Sequence, residues 1–339
     1  MKNIIITGYG NVSRELMKLI LEKEAFLNDQ YGLEWRITSI VGSRGMVYEK
    51  GGIDLLSLLE FGTGSNALEE YCEMKNLELL PFSINDQDVL IESTPTDIFT
   101  GGSGLAYSKS AIENGLDVVF VSKGALVNSQ KEINALAASH HVSLKFSGAT
   151  AAALPTIDIV QNSLNGTVIK SIEGILNGTT NFILSKMHHE SISFETALEI
   201  AISQGIAEKN STLDIGGFDA AAKAIILANN IYDQELTIKD AEITGIDDVA
   251  IKDILHAKER DKKIKLIAKI TKDKDGAKVK VAPMELSSDH LLYYVDETNK
   301  GIIFHTEEMG SICAAGGASN IRATAAAVLK DLINLYKGD

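Results

Sequence analysis

The chain has 339 residues, 45% of them apolar and 23% charged, and carries a net charge of −14 at pH 7. That length exceeds one ordinary hydrophobic core and predicts two domains, while the composition excludes a mainly disordered or collagen-like chain. The 46 acidic against 32 basic residues argue against a nucleic-acid backbone or an anionic membrane as partner, leaving small anionic ligands to local sites.

The chain opens with a short β-branched run over residues 3–7, broken at once by Thr7 and Gly8. This run is too short for the apolar core of a signal peptide, and no segment approaches the ~20 apolar residues of a membrane span. Cys72 and Cys313 stand apart, with no CxxC pair, so neither a disulfide framework nor a zinc site is expected. A cytoplasmic protein is the reading.

Further β-branched runs follow at 35–41, 88–93, 117–122 and 142–146, apolar on both faces as buried parallel strands are. Helical spacing lies between them, as in Val12, Leu16, Leu19 and Ile20, or in the segment 104–115 with its terminal glycine. This alternation predicts an α/β fold, a Rossmann-type doubly wound parallel sheet. From Ala149 the texture changes to longer helices, notably 194–204 and 218–230, among Gly- and Ala-rich turns. Two domains are therefore expected: 1–148 with 320–339, and 149–319, the second of α+β type. Residues 259–280 mix charge with β-branched residues and predict amphipathic strands turning at Asp275-Gly276, their charges forming a solvated face. A helix is expected over 323–336. The pairs His140-His141 and His188-His189 have no third ligand at metal spacing and are assigned to surface turns.

The segment IITGYGNVS, residues 5–13, lies where a strand should end and a helix begin. In that context a glycine-rich turn cradles a pyrophosphate: Gly8 permits the turn, Gly10 lets the phosphate approach, and Asn11 and Val12 open the helix whose N–H groups face the anion. Ser13 replaces the third glycine of the pattern. The second strand ends in Gly42-Ser43-Arg44, without the carboxylate that holds an unphosphorylated ribose. Ser43 and Arg44 suit a 2′-phosphate, so NADP is preferred and NAD kept open. Ser93 and Thr94, and Ser122 and Lys123, end two further strands at the same carboxyl edge.

Asp219 and Lys223 are four apart on a predicted helix and so share a face. A solvent-exposed helical pair is the plain reading. The neighbours Ala220, Ala221, Ala222, Ala224, Ile225, Ile226, Leu227 and Ala228 are apolar nearly all round, which instead predicts a buried helix. Glu208 and Asp214 add two carboxylates just upstream. Buried charges need partners and gather in clefts, so a functional cluster competes here with a structural ion-pair network.

These residues resemble homoserine dehydrogenase. The resemblance rests on GILNGTTNFIL over 174–184, on Ala207-Glu208 through Asp214, Gly217, Asp219 and Lys223, and on ESTPT over 92–96 followed by VVFVSKG over 118–124. It implies hydride transfer linking L-aspartate 4-semialdehyde and L-homoserine, on the route to threonine and methionine. It further implies that Lys223 moves the proton, that Lys123 stands near the reacting carbon, and that Glu208 and Asp219 hold the substrate, with Asp214 supporting and Thr179 lining the pocket. Gly205 and Gly316 are implied cofactor contacts. A loop for a monovalent cation such as sodium corresponds to 145–155, with carbonyls of Thr150, Ala152 and Leu154, although Ser147 stands where the family has glutamate. Asn210-Ser211 replace an Asp-Pro pair, and the glycine-rich run reads AGGASNIRAT over 315–324. The resemblance implies a homodimer, the second domain serving catalysis and dimerisation; many members of that family carry a fused kinase or regulatory module, for which no room is expected here. The rival readings are a dehydrogenase of another small amino acid and a non-catalytic nucleotide sensor; the co-occurrence of Lys123, Glu208, Asp219 and Lys223 speaks against the sensor.

Overall fold

The computed structural model describes residues 1–208 and 210–337. They form two compact units: Met1–Ala152 together with the segment from Asn320 onward, and Ala153–Ser319. Each unit is built on its own six-stranded sheet.

The first unit runs β1 (Lys2–Thr7), α1 (Asn11–Tyr31), β2 (Trp35–Gly42), β3 (Gly45–Tyr48), α2 (Leu55–Leu59), α3 (Gly64–Lys75), β4 (Val89–Glu92), α4 (Gly102–Glu113), β5 (Asp117–Phe120), α5 (Gly124–His140) and β6 (Leu144–Lys145). The helix Ile321–Tyr336 packs back against α1. Strand order is β3-β2-β1-β4-β5-β6, every neighbour parallel except the β2–β3 hairpin. The order reverses between β1 and β4, which opens a crevice at their carboxyl ends. Ile4, Ile5 and Ile6 are wholly buried because β1 is covered on both faces. Leu16, Met17 and Ile20 of α1 meet Val328 and Leu332 of the last helix over that strand. At about 1.5–3 kcal/mol for each such side chain, this packing fixes the turn after β1 far more firmly than local propensity does. β5 stops earlier than the sequence suggests, because the N–H groups of Val121 and Ser122 both turn to the Glu92 carbonyl.

The second unit contains α6 (Thr156–Ser163), β7 (Ile169–Ile175), α7 (Gly178–Glu190), α8 (Phe194–Ser203), α9 (Thr212–Ile215), α10 (Phe218–Tyr232), β8 (Ala241–Ile243), α11 (Ile251–Glu259), β9 (Lys262–Asp273), β10 (Gly276–Ser287), β11 (Lys300–Thr306) and β12 (Ser311–Gly316). Its sheet order is β12-β11-β7-β9-β10-β8, antiparallel except for the β8–β10 pair. In β10 the buried Ala277, Val279 and Val281 alternate with exposed Lys278 and Lys280, the pattern of a sheet covered on one face. Helices α7 and α10 pack on the long hairpin. No helix among the described residues is long and apolar enough to cross a membrane.

Three sequence expectations are corrected. The hairpin turns at Lys274-Asp275, one residue early, because the Asp273 side chain accepts the Asp275 N–H at 2.8 Å and Gly276 already pairs with Asp273. The charges of 259–280 are not all solvated: Lys263 is 7% and Lys265 1% exposed, since Lys263 reaches the half-buried Asp296 and Lys265 the buried Val295 carbonyl. His188 and His189 lie in the last turn of α7, not in a loop. Burial together with the nearby Lys263 pulls His188 down to about 4.

Candidate active site

In the first unit the turn after β1 is shaped by close approach. A side chain at Gly8 would collide with the Ser93 carbonyl, and Gly8 has φ +89°, so only glycine fits. A side chain at Gly10 would meet nothing within 4 Å. No protein atom therefore demands glycine at Gly10, and the space over it is open. Gly10 caps α1 with no side-chain hydrogen bond and no acidic residue follows in the first turn, leaving the Asn11 and Val12 end open to an anion. Ser13, buried, donates from its hydroxyl to the Gly8 carbonyl at 2.8 Å, so the departure from glycine ties the turn together.

At the end of β2, Ser43 and Arg44 form the tight turn into β3. The Ser43 N–H donates to Ser65 Oγ at 2.9 Å, and the two hydroxyls are 2.8 Å apart. Ser65 opens α3 and was not visible as a site residue in the sequence, because only the tertiary fold brings it to β2. Arg44 hydrogen-bonds Glu69 of α3, with 55% of its side chain exposed. Such a surface pair is worth about 0–1 kcal/mol, so a doubly charged phosphate competes for the guanidinium.

At the ends of β4 and β5 the structure adds Glu92 to the expected residues. Its carboxylate is fully buried and accepts the Thr94 N–H at 3.0 Å, with hydroxyl donors from Thr94 and Ser122. Burial raises its pKa, and these three donors oppose the rise. Ser93 donates its N–H to the Thr7 carbonyl at 2.8 Å. Lys123 caps α5 directly after Ser122, its N–H 3.4 Å from Thr96 Oγ1. One carboxyl thus clasps the two strand ends that carry Thr94 and Lys123.

In the second unit, α10 is buried on nearly every side, from Ala220 to Asn229, as its sequence predicts. The Lys223 side chain is 13% and that of Asp219 17% exposed. Lys223 Nζ donates to Asp219 Oδ2 at 2.5 Å and to the Leu176 carbonyl at 2.8 Å. Asn177, the cap of α7, donates from Nδ2 to Asp214 Oδ1 at 2.6 Å and to Asp219 Oδ2 at 2.8 Å. Gly178 admits no side chain, since one would strike Ser319 and the Thr298 carbonyl. Thr179 Oγ1 donates to the Ile206 carbonyl at 3.1 Å and so fixes the turn that leads to Glu208. Asp214, Asp219, Lys223 and Asn177 thus form one hydrogen-bonded group. Glu208 is exposed in the turn after α8 and joins none of these bonds. Gly205, with φ +69°, ends α8, and Gly316, with φ +119°, ends β12.

For the cation loop, Thr150 and Leu154 are buried and Ala152 has φ +52°. The Leu154 carbonyl already accepts the Thr156 N–H at 2.8 Å. Ser147 gives its N–H and its hydroxyl to the buried Asp331, each at 2.8 Å. Among the described residues no group of three or more His, Cys, Asp or Glu is placed to hold a metal ion. Ser147, bound to Asp331, thus stands where the family loop has a glutamate, a poor match for that loop, and no chemical step is routed through a cation.

The first unit is a doubly wound sheet with a glycine turn at its switch point, and the second carries a buried lysine paired with a carboxylate, features of a nicotinamide-dependent oxidoreductase. Within that class the chain belongs to the homoserine dehydrogenase family, whose model matches residues 155–333. It is 35% identical over 337 residues to a homoserine dehydrogenase of Methanocaldococcus jannaschii, covering 98% of each chain. It is 30% identical over 338 residues to an NAD(+)-dependent homoserine dehydrogenase of Pseudomonas canavaninivorans, covering 98% of this chain and 96% of the other. A hyperthermophilic archaeal homoserine dehydrogenase solved in complex with NADPH superposes with a TM-score of 0.81 at 28% identity, over 98% of this chain and 97% of that one. The Rossmann-type fold, the NAD(P)-dependent oxidoreductase class and the homoserine dehydrogenase function expected from the sequence are all supported by these relatives.

Proposed function

We propose that Lys223 is the acid–base group for the interconversion of L-homoserine and L-aspartate 4-semialdehyde, and that NADP is preferred to NAD. The observation that carries the first statement is the placement of the Lys223 ammonium between Asp219 Oδ2 and the Leu176 carbonyl on a buried helix. Two acceptors aim the amine, and the exclusion of water strengthens each contact. A nicotinamide held at the first unit's glycine turn would supply the hydride for the aldehyde carbon, or accept it from the alcohol. Lys223 gives a proton to the developing alkoxide, or removes one from the hydroxyl when the reaction runs toward the aldehyde. Asp219 and Glu208 hold the hydroxyl and amino ends of the substrate, Asp214 supports Asp219, Thr179 lines the pocket, and Lys123 acts near the reacting carbon.

The cofactor contacts proposed are Gly8, Gly10, Asn11 and Val12 for the pyrophosphate, Ser43 and Arg44 for the 2′-phosphate, and Ser93, Thr94, Ser122, Lys123, Gly205 and Gly316 around the remainder. The fit rests on the open space at Gly10 and on the absence of a carboxylate in the Ser43-Arg44 turn. The division of labour proposed is cofactor binding by residues 1–148 and 320–339, and substrate binding, catalysis and dimerisation by 149–319. A cytoplasmic homodimer is the proposed form, tested by light scattering of the purified protein. The chemistry is tested by following reduced-nicotinamide absorbance with L-homoserine and either NADP or NAD. Turnover supports the reading; turnover on a different amino acid with none on homoserine removes it.

A further inference from the structure

We infer that Asn177 is a positioning residue for the reaction, a carboxamide that lets Asp214 and Asp219 stand ionised side by side; this rests on the acid–base reading given above for Lys223. The orientation of the amide is fixed by its other end. Asn177 Oδ1 accepts the Thr180 N–H at 2.8 Å and the Thr180 hydroxyl at 3.1 Å, so the oxygen belongs on the helix and the NH2 group on the carboxylates. Its two protons are then used separately, one on Asp214 Oδ1 and one on Asp219 Oδ2. The residue is 5% exposed, so these bonds lie largely out of water.

Two carboxylates reached by one amide repel each other, and such a pair ordinarily retains a proton on one member. A neutral double donor adds to the Lys223 ammonium in relieving that repulsion, since each N–H favours the charged form of the oxygen it meets. Asp219 Oδ2 is also the oxygen that holds Lys223 Nζ. The orientation and charge of Asp219 therefore pass to the amine that moves the proton. The neighbouring Leu176 carbonyl supplies the second anchor of Lys223, so two consecutive residues at the head of α7 organise the whole cluster.

Asn177→Asp separates this role from simple helix capping. Aspartate caps as well as asparagine and suits the positive end of a helix, so the fold should survive. It cannot donate, and it adds a third negative charge beside Asp214 and Asp219. The protonation of that group should then persist to higher pH. The expected result is a thermal midpoint near that of the unmodified protein, a kcat lower by about 100-fold or more, and an acid limb of the kcat/KM profile moved up by about one pH unit or more. Unchanged kcat and pH profile in folded Asn177→Asp overturn the inference. If Asn177→Asp does not fold, Asn177→Ser decides: serine caps the helix and donates one proton, so a smaller loss with an upward acid limb supports the role, and an unmoved profile overturns it. Failure of the unmodified protein to turn over homoserine would instead sink the reading on which this rests, a distinct outcome.

Discussion

Lys265 Nζ lies 2.9 Å from Asn181 Oδ1, one helical turn along α7 from the Asn177 cap, and the same ammonium reaches Asp296 Oδ1 at 2.7 Å, the Val295 carbonyl at 2.8 Å and Ser185 Oγ at 3.2 Å. Burial pulls its pKa down to about 8, with Asp296 opposing; burial works to raise the Asp296 carboxyl, but the two lysines beside it outweigh that and hold it well below the usual range. A buried cation of this kind joins β9, α7 and the 295–299 loop into one block. Lys265→Met removes the donor shared by Asn181 Oδ1, Ser185 Oγ and the Val295 carbonyl, while Lys263 stays on Asp296 Oδ2 at 2.6 Å, and should destabilise by about 1–3 kcal/mol, read from urea unfolding. A cost below about 1 kcal/mol would show that the network is worth no more than a surface pair.

Lys223→Ala should lower kcat by about 100-fold or more, the ordinary contribution of an acid–base group. Because the side chain is mostly buried in α10, a thermal melt must accompany the steady-state measurement. A near-normal rate in a folded variant would assign the proton to another group.

Arg44 is the guanidinium proposed for the 2′-phosphate, yet it hydrogen-bonds Glu69. Glu69→Gln weakens that competitor and should tighten NADP while leaving NAD nearly unchanged. Arg44→Ala should weaken NADP more than NAD. Ser65→Glu places a carboxylate beside Ser43 and should turn preference toward NAD, as repulsion of the phosphate requires. Calorimetric dissociation constants for both cofactors check all three; equal effects on NADP and NAD would dismiss the 2′-phosphate site.

Much of this was legible in the chain because the signals were local. The Gly8-to-Ser13 turn and the i,i+4 placement of Asp219 and Lys223 both stand in the structure as their spacing implies. The Asn177 amide was visible only as part of a motif, since its partners Asp214 and Asp219 lie 37 and 42 residues away. Ser65 carried no signal at all, because its approach to Ser43 depends on how α3 packs against β2. The buried lysines of β9 were misread for a related reason. Their charge resembles a solvated face until Asp296, 31 residues beyond Lys265, closes over them.

Glu92 gives the fold a pH dependence of definite sign. Its pKa is raised by burial, so the folded state keeps a proton that the unfolded state has lost. The stability it contributes is full below its unfolded value of about 4.3 and is lost as pH rises through its folded value. Glu92→Gln removes that titration while keeping the shape. The amide oxygen can accept from Thr94, and the NH2 can donate to the Ser122 hydroxyl, which accepts as readily as it donates. Urea midpoints from pH 4.5 upward should therefore show the unmodified protein losing stability relative to Glu92→Gln as pH rises. A constant difference across that range would mean that the Thr94 and Ser122 donors fully offset burial, and that Glu92 is an ordinary ionised carboxylate in the folded protein.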